Sequence, residues 1–459
     1  MLIITGAALG ERLAGPAIRA LAMARVLAGD GHRVVVATTA TVSPGAPQGD
    51  FTLTSVRPGD NRALRALERA ADLIVFQGHA MEQFAALERT DRVVVADAYD
   101  PMHLEMLEQG RELGRSTWQM LVRSRVRLLN HQLARADLVL CASQRQRTFY
   151  LGQLAALGRI SPLTYENDPM VEQLIAVAPF GLDPVPPTPT ATPTPAVRGV
   201  FPGVDDSTRL LVWGGGVYSW FDPLLLIRAV HALAQRRPQV ALLFLGTRHP
   251  GQEPMGIVKE VLDLSDQLKV TGTHVLFTED WVPYDQRGAY LAEANAGVST
   301  HHQHLETEFS FRTRILDYLW AGLPMVVSDG DAFADLVREQ DLGFVVEPGN
   351  LDALTAALEA VLFDDRAAAT ARANVARVRE QFTWERTLEP LRRLASDPLH
   401  APDLAAARSR RALGKVPRTL LKPDGRPSRW RDARMAWHYL RHGGMTEVKR
   451  RLAVRRNRG

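Results

Sequence analysis

The 459-residue chain contains a single cysteine, Cys141. One cysteine cannot form an internal disulfide, which excludes a disulfide-stapled scaffold and a multi-cysteine zinc site, and favours a reducing, cytoplasmic compartment. No run of about 18 apolar residues occurs, which argues against a membrane-spanning helix. The start, Met1 to Gly6, has no basic segment and only a very short apolar one, so it predicts a first β-strand and not a signal peptide.

Acidic residues are scarce at one end of the chain. Residues 401–459 hold 17 Lys and Arg against 4 Asp and Glu, whereas the whole chain holds 55 against 51. The basic charge therefore belongs to an appendage, which argues against nucleic acid as a partner of the protein. Aromatic and apolar residues are spread among Arg and Lys in this tail. That pattern fits either a solvated extension or peripheral contact with an anionic membrane surface.

The rest of the chain has the composition of a globular protein long enough for two or three domains, with 46% hydrophobic and 23% charged residues. Apolar β-rich runs alternate with helical patterns over residues 1–182, which predicts a doubly wound α/β domain. Six prolines within 183–199 break both patterns and predict a linker. A second alternating series predicts a similar domain over 200–380, followed by a helix returning toward the first domain over 381–400 and the basic tail over 401–459.

A glycine run follows the first strand predicted for the second domain. Three consecutive glycines, Gly214, Gly215 and Gly216, expose backbone N–H groups where a strand feeds a helix, and such groups can hold phosphate oxygens. The alternative is a flexible turn in which Asp222 caps the following helix. The loop after the first strand of the first domain, residues 6–16, also contains glycines but lacks G-x-G-x-x-G spacing, so a dinucleotide site is poorly supported there.

The most informative segment, residues 301–324, follows a predicted strand and opens a predicted helix. With Ser310 as N-cap, Arg312 and Arg314 would lie in the first helical turn, where positive charge opposes the helix dipole. A bound diphosphate would resolve this conflict, because arginine forks bind phosphate oxygens bidentately. We therefore predict both arginines as catalytic residues. The alternative is a solvated pair that neighbouring glutamates neutralise.

Three histidines, His301, His302 and His304, stand at the beginning of this segment. An H-x-x-H spacing in a strand-to-loop stretch, without the helical H-E-x-x-H register, is a weak metal signal. The sequence therefore predicts no metal site, and these histidines are expected to brace the loop or to be solvated.

Polar residues follow two predicted strands of the first domain. His79 comes just after one of them, and Asp97, Asp100 and His103 come just after the next. Because ligands of open α/β sheets bind beyond the carboxyl ends of the strands, these groups could orient acceptor hydroxyls or transfer a proton. We predict a catalytic role for His79 and acceptor contacts for the other three, together with Gly10. Capping or loop bracing is the alternative for each.

Several short stretches carry a resemblance to a known family. They are the glycine-containing first loop, Gly31-His32-Arg33-Val34, Ala136-Asp137-Leu138-Val139, Val177 to Asp183, Trp281-Val282-Pro283-Tyr284, and Arg314 to Pro324. Over most of residues 1–395 the chain resembles the sugar-nucleotide-dependent glycosyltransferases of the GT-B fold, in particular glycosyltransferase family 4 and its bacterial cell-surface polysaccharide branch.

The resemblance implies two Rossmann-like α/β domains facing a cleft, with a donor nucleotide held by the second domain and an acceptor held by the first. It also implies retention of the anomeric configuration without an obligatory metal. Asp317 stands where the family usually has a glutamate that hydrogen-bonds the ribose hydroxyls. The family's other glutamate falls on Phe309, which leaves Glu308 or Glu306 to substitute, with Ser310 beside them as a further donor-binding residue.

On this basis we predict a retaining glycosyltransferase that moves a sugar from a nucleotide-diphosphate donor to a glycan or lipid-linked acceptor in cell-surface polysaccharide synthesis. The nucleotide sugar is a co-substrate, and no other cofactor is expected. Peripheral contact of residues 401–459 with the inner membrane face would place the enzyme beside a lipid-linked acceptor. Two alternatives stand: a noncatalytic GT-B scaffold that binds a polyanion or partner through its tail, and a sugar-nucleotide epimerase.

Overall fold

The computed structural model describes most of the chain. The central part of the predicted linker, the motif residues Trp281 and Tyr284, and nearly all of the basic tail lie outside the described residues. Residues 1–406 form one compact unit that contains both sheets. The described residues are 1–11, 13–187, 195–247, 256–278, 282–283 and 285–411, with side chains described as far as residue 406.

The described part of the first half forms a seven-stranded parallel sheet in the order β3-β2-β1-β4-β5-β6-β7. Its central strands are apolar and buried because helices cover both faces, as the sequence predicted. The strands are β1 (Leu2–Thr5), β2 (Val34–Thr38), β3 (Phe51–Ser55), β4 (Leu73–Gln77), β5 (Val93–Asp97), β6 (Leu138–Cys141) and β7 (Ile175–Val177). The helices are α1 (Gly15–Gly29), α2 (Asn61–Arg69), α3 (Ala80–Gln83), α4 (Ala86–Arg89), α5 (Met102–Gln109), α6 (Arg115–Arg135), α7 (Gln144–Ala156) and α8 (Pro162–Tyr165).

The second half forms a six-stranded parallel sheet in its described residues, in the order β10-β9-β8-β11-β12-β13. The predicted pair of doubly wound α/β sheets is thereby confirmed. The strands are β8 (Arg209–Trp213), β9 (Val240–Phe244), β10 (Val275–Phe277), β11 (Ala296–Ser299), β12 (Met325–Ser328) and β13 (Gly343–Val346). The helices are α9 (Pro223–Ala234), α10 (Gly256–Gln267), α11 (Arg287–Glu293), α12 (Leu305–Phe309), α13 (Thr313–Trp320), α14 (Ala332–Gln340) and α15 (Leu351–Phe363).

After the second sheet the chain returns to the first. The backbone N–H of Leu182 donates to the carbonyl of Phe382 at 2.6 Å, so the outgoing and returning segments lie side by side. Leu388 and Leu391 are buried against α1 and the first sheet, which anchors the returning helices there. These last elements are α16 (Asp365–Arg379), a 3-10 turn (Glu380–Phe382), α17 (Trp384–Thr387), α18 (Glu389–Ser396) and α19 (Pro402–Arg411).

Helix length and polarity also bear on membranes. The longest described helix, α6, contains five arginines. None of the helices in the described residues combines the length and the apolar character that crossing a lipid bilayer requires.

Candidate active site

The order of the second sheet reverses between β8 and β11, which are neighbours at its centre. Ligands of open α/β sheets bind at such a switch point, beyond the carboxyl ends of the strands. The segments that leave these two strands are tied together there. The backbone N–H of Asp222 donates to the carbonyl of Thr300 at 3.0 Å, and the Thr300 hydroxyl donates back to the Asp222 carbonyl at 2.6 Å.

Arg314 lies at this switch point, in the first turn of α13. Its guanidinium carbon lies 3.9 Å from the ring centre of Phe221 and 4.2 Å from that of Trp213. Nη2 donates to the carbonyl of Gly216 at 2.8 Å, whereas Nη1 is buried and has no hydrogen-bond partner among the described residues. The side chain is therefore held rigidly between aromatic rings with part of its donor capacity unused.

No carboxylate of the described residues forms an ion pair with Arg314. Burial lowers the pKa of its guanidinium to about 10, so the group stays charged at neutral pH. A buried cation without a counter-ion is costly, and the cost falls when an anion binds. The local geometry thus favours an anionic ligand at Arg314.

Arg312 is buried as well, but it has a carboxylate partner. Its two terminal nitrogens donate to the carboxylate of Glu306 at 3.1 and 2.7 Å, and its guanidinium lies 4.7 Å from the ring centre of Phe221. Nε has no partner among the described residues. Neither arginine points to bulk solvent, so the alternative of a solvated pair is wrong, although pairing with a glutamate is right for Arg312.

The predicted N-cap of this helix is wrong. Ser310 is the C-cap of the short helix α12, where its N–H donates to the carbonyl of Glu306 at 2.8 Å and its hydroxyl to that of Thr307 at 3.2 Å. Helix α13 begins at Thr313 with Arg312 as N-cap. No pattern in the sequence indicated α12, which uses the polar atoms of Ser310 before α13 begins. Arg314 lies in the first turn, as predicted, and Arg312 precedes it.

The glycine run is shaped by a tyrosine that the sequence analysis missed. The hydroxyl of Tyr318 accepts from the N–H of Gly214 at 2.9 Å and donates to the carbonyl of Val298 at 2.8 Å. The Gly214 amide is therefore not free to hold a phosphate, which corrects the prediction for that residue. Gly215 has a φ of +76° that favours glycine, and the carbonyl of Gly216 faces Arg314.

Two further features explain this arrangement. A Cβ at Gly297 would lie 2.3 Å from the Tyr318 ring, so only glycine lets the tyrosine reach the sheet at this point. Asp222 caps α9 by accepting from the N–H of Leu225 at 3.0 Å, which confirms the capping role considered for it. The i+4 spacing from Arg314 to Tyr318 on one helix face was the available signal for the tyrosine.

The predicted donor-binding carboxylates differ in exposure. Asp317 is half-buried, and its Oδ1 accepts from Nε of Arg287 at 3.0 Å. Glu308 is exposed at the end of α12, whereas Glu306 is buried and bound to Arg312. Of the two glutamates considered, the structure brings Glu306 to the arginines.

On the first sheet, Asp97 is a structural residue and not an open ligand. Its carboxylate accepts three bonds of 2.8–2.9 Å from Arg19 and one of 2.9 Å from Gln77, and neither charged side chain is exposed. The predicted acceptor contact at Asp97 therefore does not fit its position. The reason is that a partner 78 positions earlier in the chain saturates the carboxylate.

Asp100 is half-buried just beyond the carboxyl end of β5. It forms a hydrogen-bonded carboxyl pair with Glu105, and burial raises the pKa of both groups. Glu306 raises these pKa values further, whereas Arg312 lowers them, so the pair lies within electrostatic reach of the second sheet. The structure thus brings together one predicted acceptor residue, Asp100, and the predicted arginine segment.

The remaining predicted residues of the first half differ in burial. His103 is buried and stacks on Phe149 with ring centres 5.5 Å apart, and burial lowers the pKa of its imidazole to about 4. His79 is partly exposed, and its Nδ1 lies 3.3 Å from a terminal nitrogen of Arg125. Gly10 is buried beside Ser43, where a Cβ would meet the serine side chain at 3.3 Å.

The two halves touch through the segment around α12. Nε2 of Gln146 donates to the carbonyls of Tyr99 and Phe309 at 2.8 Å each, which joins the first sheet to the second. Arg145 donates to the carboxylate of Asp335 at 2.6 and 3.0 Å. The interface is therefore held by polar contacts that separation of the halves would break.

The three histidines of this segment have separate surroundings. His301 lies 3.6 Å from Asp331, His302 lies 3.7 Å from Asp222, and Nδ1 of His304 accepts from the N–H of Thr307. Within the described residues, no group of three or more His, Cys, Asp or Glu is placed to hold a metal ion.

Part of the chain matches a known family model. Residues 208–364, which span β8 to α15 and include Arg312, Arg314 and Asp317, match the family model described as Glycosyl transferases group 1. No curated protein matches the chain in sequence.

Solved structures share the fold over most of the chain. Sucrose-phosphate synthase from Thermosynechococcus elongatus is 16% identical with a TM-score of 0.61, and the match covers 88% of this chain and 99% of that one. WaaG, a glycosyltransferase involved in lipopolysaccharide biosynthesis, is 17% identical with a TM-score of 0.56 and coverages of 89% and 99%. Anabaena HepE in complex with UDP-glucose is 17% identical with a TM-score of 0.59 and coverages of 86% and 99%. The second half of the chain therefore matches the family model Glycosyl transferases group 1, and the two-sheet fold is similar to that of these solved structures.

Proposed function

We propose that the protein is a retaining glycosyltransferase whose donor is a nucleoside diphosphate sugar, and that Arg314 stabilises the departing diphosphate. The observation that carries this proposal is the buried Arg314 guanidinium at the switch point of the second sheet, which has no carboxylate partner among the described residues. As the bond to the sugar breaks, negative charge grows on the diphosphate. A fixed, desolvated cation stabilises that charge more in the transition state than in the ground state.

A diphosphate suits this site better than a carboxylate. The ring planes of Phe221 and Trp213 hold the guanidinium in one orientation, which preserves its planar fork for two phosphate oxygens. The first turn of α13 adds the positive end of a helix dipole. Because these groups supply the positive charge, we propose that transfer needs no obligatory metal.

Arg312 has a different part in this proposal. Its fork is occupied by Glu306, which offsets its charge, so we assign it the role of orienting α12 and supporting Arg314. Asp317 is proposed to reach the ribose of the donor, since its half-buried carboxylate stands three positions after Arg314 on the same helix.

The acceptor is proposed to bind on the side of the first sheet. The Asp100 and Glu105 carboxyls have raised pKa values and share a hydrogen bond, so their remaining oxygens are proposed to accept a hydrogen bond from an acceptor hydroxyl. His79, partly exposed at the end of β4, stands at the entrance of this region. Entry of both substrates requires the halves to separate at Gln146 and Arg145, and closure then excludes water from the activated sugar.

The ligands bound in related structures suggest which substrates to test first. HepE was solved with UDP-glucose, and an Escherichia coli relative with UDP-2-fluoro glucose, so UDP-sugars lead the list of donors. WaaG acts in lipopolysaccharide biosynthesis, which supports a glycan or lipid-linked acceptor of cell-surface polysaccharide synthesis. The basic residues 401–459 support peripheral contact with an anionic membrane face, where such acceptors lie.

The test is a panel of nucleoside diphosphate sugars, read first by thermal stabilisation. A donor at about 100 times its Kd should add about 2.7 kcal/mol to the wild type. Arg314→Met should abolish this stabilisation, because methionine packs between the two rings but carries no charge. Arg228→Met, on an exposed position of α9, is the matched control and should respond like the wild type.

Turnover completes the test. With a donor identified, release of nucleoside diphosphate should require an acceptor and should fall about 100- to 1,000-fold in kcat in Arg314→Met. Unchanged kcat in that variant would sink the assignment of Arg314. Interconversion of the nucleotide sugar without net release of nucleoside diphosphate would favour the epimerase alternative instead.

A further inference from the structure

A second group of arginines lies on α2 of the first sheet. Arg62, Arg65 and Arg69 are exposed, and their spacing of three and four residues places them on one face of the helix. Like charges at such spacing repel each other. The α2 helix contains one glutamate, Glu68, which forms no ion pair with these arginines among the described residues, so a stripe of net positive charge remains.

A fourth arginine turns this stripe into a pocket. Arg89, at the end of α4, joins the three arginines of α2 around a pocket of about 370 Å³, which Asn61 and Ala85 complete. Asn61 fixes the two helices against each other, since its Oδ1 accepts from the N–H of Ala86 at 3.0 Å and its Nδ2 donates to the carbonyl of Gly59 at 3.1 Å. The walls of the pocket are thus positioned by the backbone.

The positive charge of this pocket has no counter-charge in the described structure. Among the ion pairs of the described residues, none joins a carboxylate to any of the four arginines. Glu88, next to Arg89, lies instead 3.8 Å from the ring of His131. This concentration of positive charge contrasts with the rest of the first 400 residues, which carry more acidic than basic side chains. An anion would relieve the repulsion at this point.

We propose that the four arginines form a binding site for a phosphate-bearing group. Arginine forks match phosphate oxygens, and several of them around one pocket suit a doubly charged group better than a single carboxylate. The volume is roughly ten times that of one water molecule in the liquid, which leaves room for a phosphate and part of the molecule that carries it. A soluble phosphorylated compound and an anionic lipid headgroup share this chemistry. The site is separate from Arg314 and does not rest on the proposed donor site.

The experiment compares two double variants of the full-length protein. Arg65→Gln with Arg69→Gln removes two charges from the pocket, and Arg25→Gln with Arg228→Gln removes two exposed helical arginines elsewhere as a matched control. Each is titrated calorimetrically with inorganic pyrophosphate and sedimented with phosphatidylcholine vesicles, with and without phosphatidylglycerol. The cleft is identical in both variants, so a difference between them reports on the pocket alone.

We expect the pocket variant to bind at least one probe about tenfold or more weakly than the control, since each basic residue near an anionic group contributes substantially to binding. Weaker binding of pyrophosphate alone by the pocket variant supports a soluble phosphorylated ligand. A deficit with the phosphatidylglycerol vesicles supports a lipid headgroup. Equal binding of both probes by the two variants, with equal melting temperatures, would overturn the proposal. Arg314→Met leaves this comparison unchanged, so failure here and failure of the donor site are distinguishable.

Discussion

Arg19 and Arg314 are both buried between aromatic rings, one in each half of the molecule, but their surroundings differ in one respect. Arg19 donates to Asp97 and to the carbonyls of Ala178 and Pro179, and all of its guanidinium nitrogens have partners. Arg314 donates only to the carbonyl of Gly216 in the described structure and keeps a buried Nη1 without a partner. The first charge is compensated within the chain, and the second is not.

This difference separates a structural arginine from a binding arginine. Removing one member of a compensated buried pair leaves the other as an uncompensated charge, so the fold should depend on it. Removing an uncompensated buried charge relieves a desolvation cost, so the fold should tolerate it while ligand binding suffers. The following predictions test each side of that contrast.

Arg19→Met should have the largest effect on stability, a loss of about 3–5 kcal/mol, because Asp97 would remain buried without its partner. Urea denaturation of the wild type and the variant measures this loss. The double variant with Asp97→Leu should recover much of it, since no charge then remains buried. A single variant as stable as the wild type would show that Asp97 finds another partner.

His103 in the first half is also a buried base, and its Nδ1 has no hydrogen-bond partner among the described residues. Unlike an arginine, it responds to burial by losing its charge. Its pKa falls from 6.5 to about 4, so between these values the unfolded chain binds a proton that the folded chain does not. Stability should therefore decrease by about 3 kcal/mol as the pH falls through this range. Denaturation at several pH values should show that the free energy of unfolding depends less on pH in His103→Gln than in the wild type. Equal pH dependence in the two proteins would contradict the lowered pKa of His103.

Arg314→Met without ligand should change the free energy of unfolding by no more than about 1 kcal/mol, and an increase is as compatible with the argument as no change. Arginine cannot lose its proton as His103 does, so the cost of burying it persists at neutral pH. Thermal or urea denaturation of the ligand-free protein measures the effect. A loss comparable to that of Arg19→Met would show that the two arginines do not differ as described.

Arg145→Gln should have a small effect, a loss of about 0.5–1 kcal/mol, because its pair with Asp335 is partly exposed to solvent. The pair joins the two halves, so the variant should also open more readily, which small-angle scattering would detect as a larger radius of gyration. Arg338→Gln, whose arginine pairs with the same Asp335 from within the second half, is the matched control. Equal radii of gyration for the two variants would contradict a role of the Arg145 pair in holding the halves together.

The sequence was sufficient for the fold and for part of the site. Alternating apolar runs and helical patterns indicated both parallel sheets, since strands covered on both faces must be apolar along their whole length. The segment around Arg314 was recognisable because cations at a helix start are locally unfavourable. Local patterns of this kind depend on neighbours within a few residues, which the sequence displays directly.

Contacts between distant residues decided the rest. Asp97 could not be recognised as structural, because its partner Arg19 lies 78 positions away, and the amide of Gly214 could not be recognised as occupied, because Tyr318 lies 104 positions away. Ser310 was misplaced because the short helix α12 depends on its contacts with α5 and α7.

By itself, the sequence determined that this chain builds two parallel α/β sheets and that two arginines stand near the start of one helix. Only the tertiary structure decided which of the buried arginines meets a carboxylate. The physical reason is that burial removes the compensating effect of water, so the fate of each charge depends on the partner that folding brings within hydrogen-bonding distance.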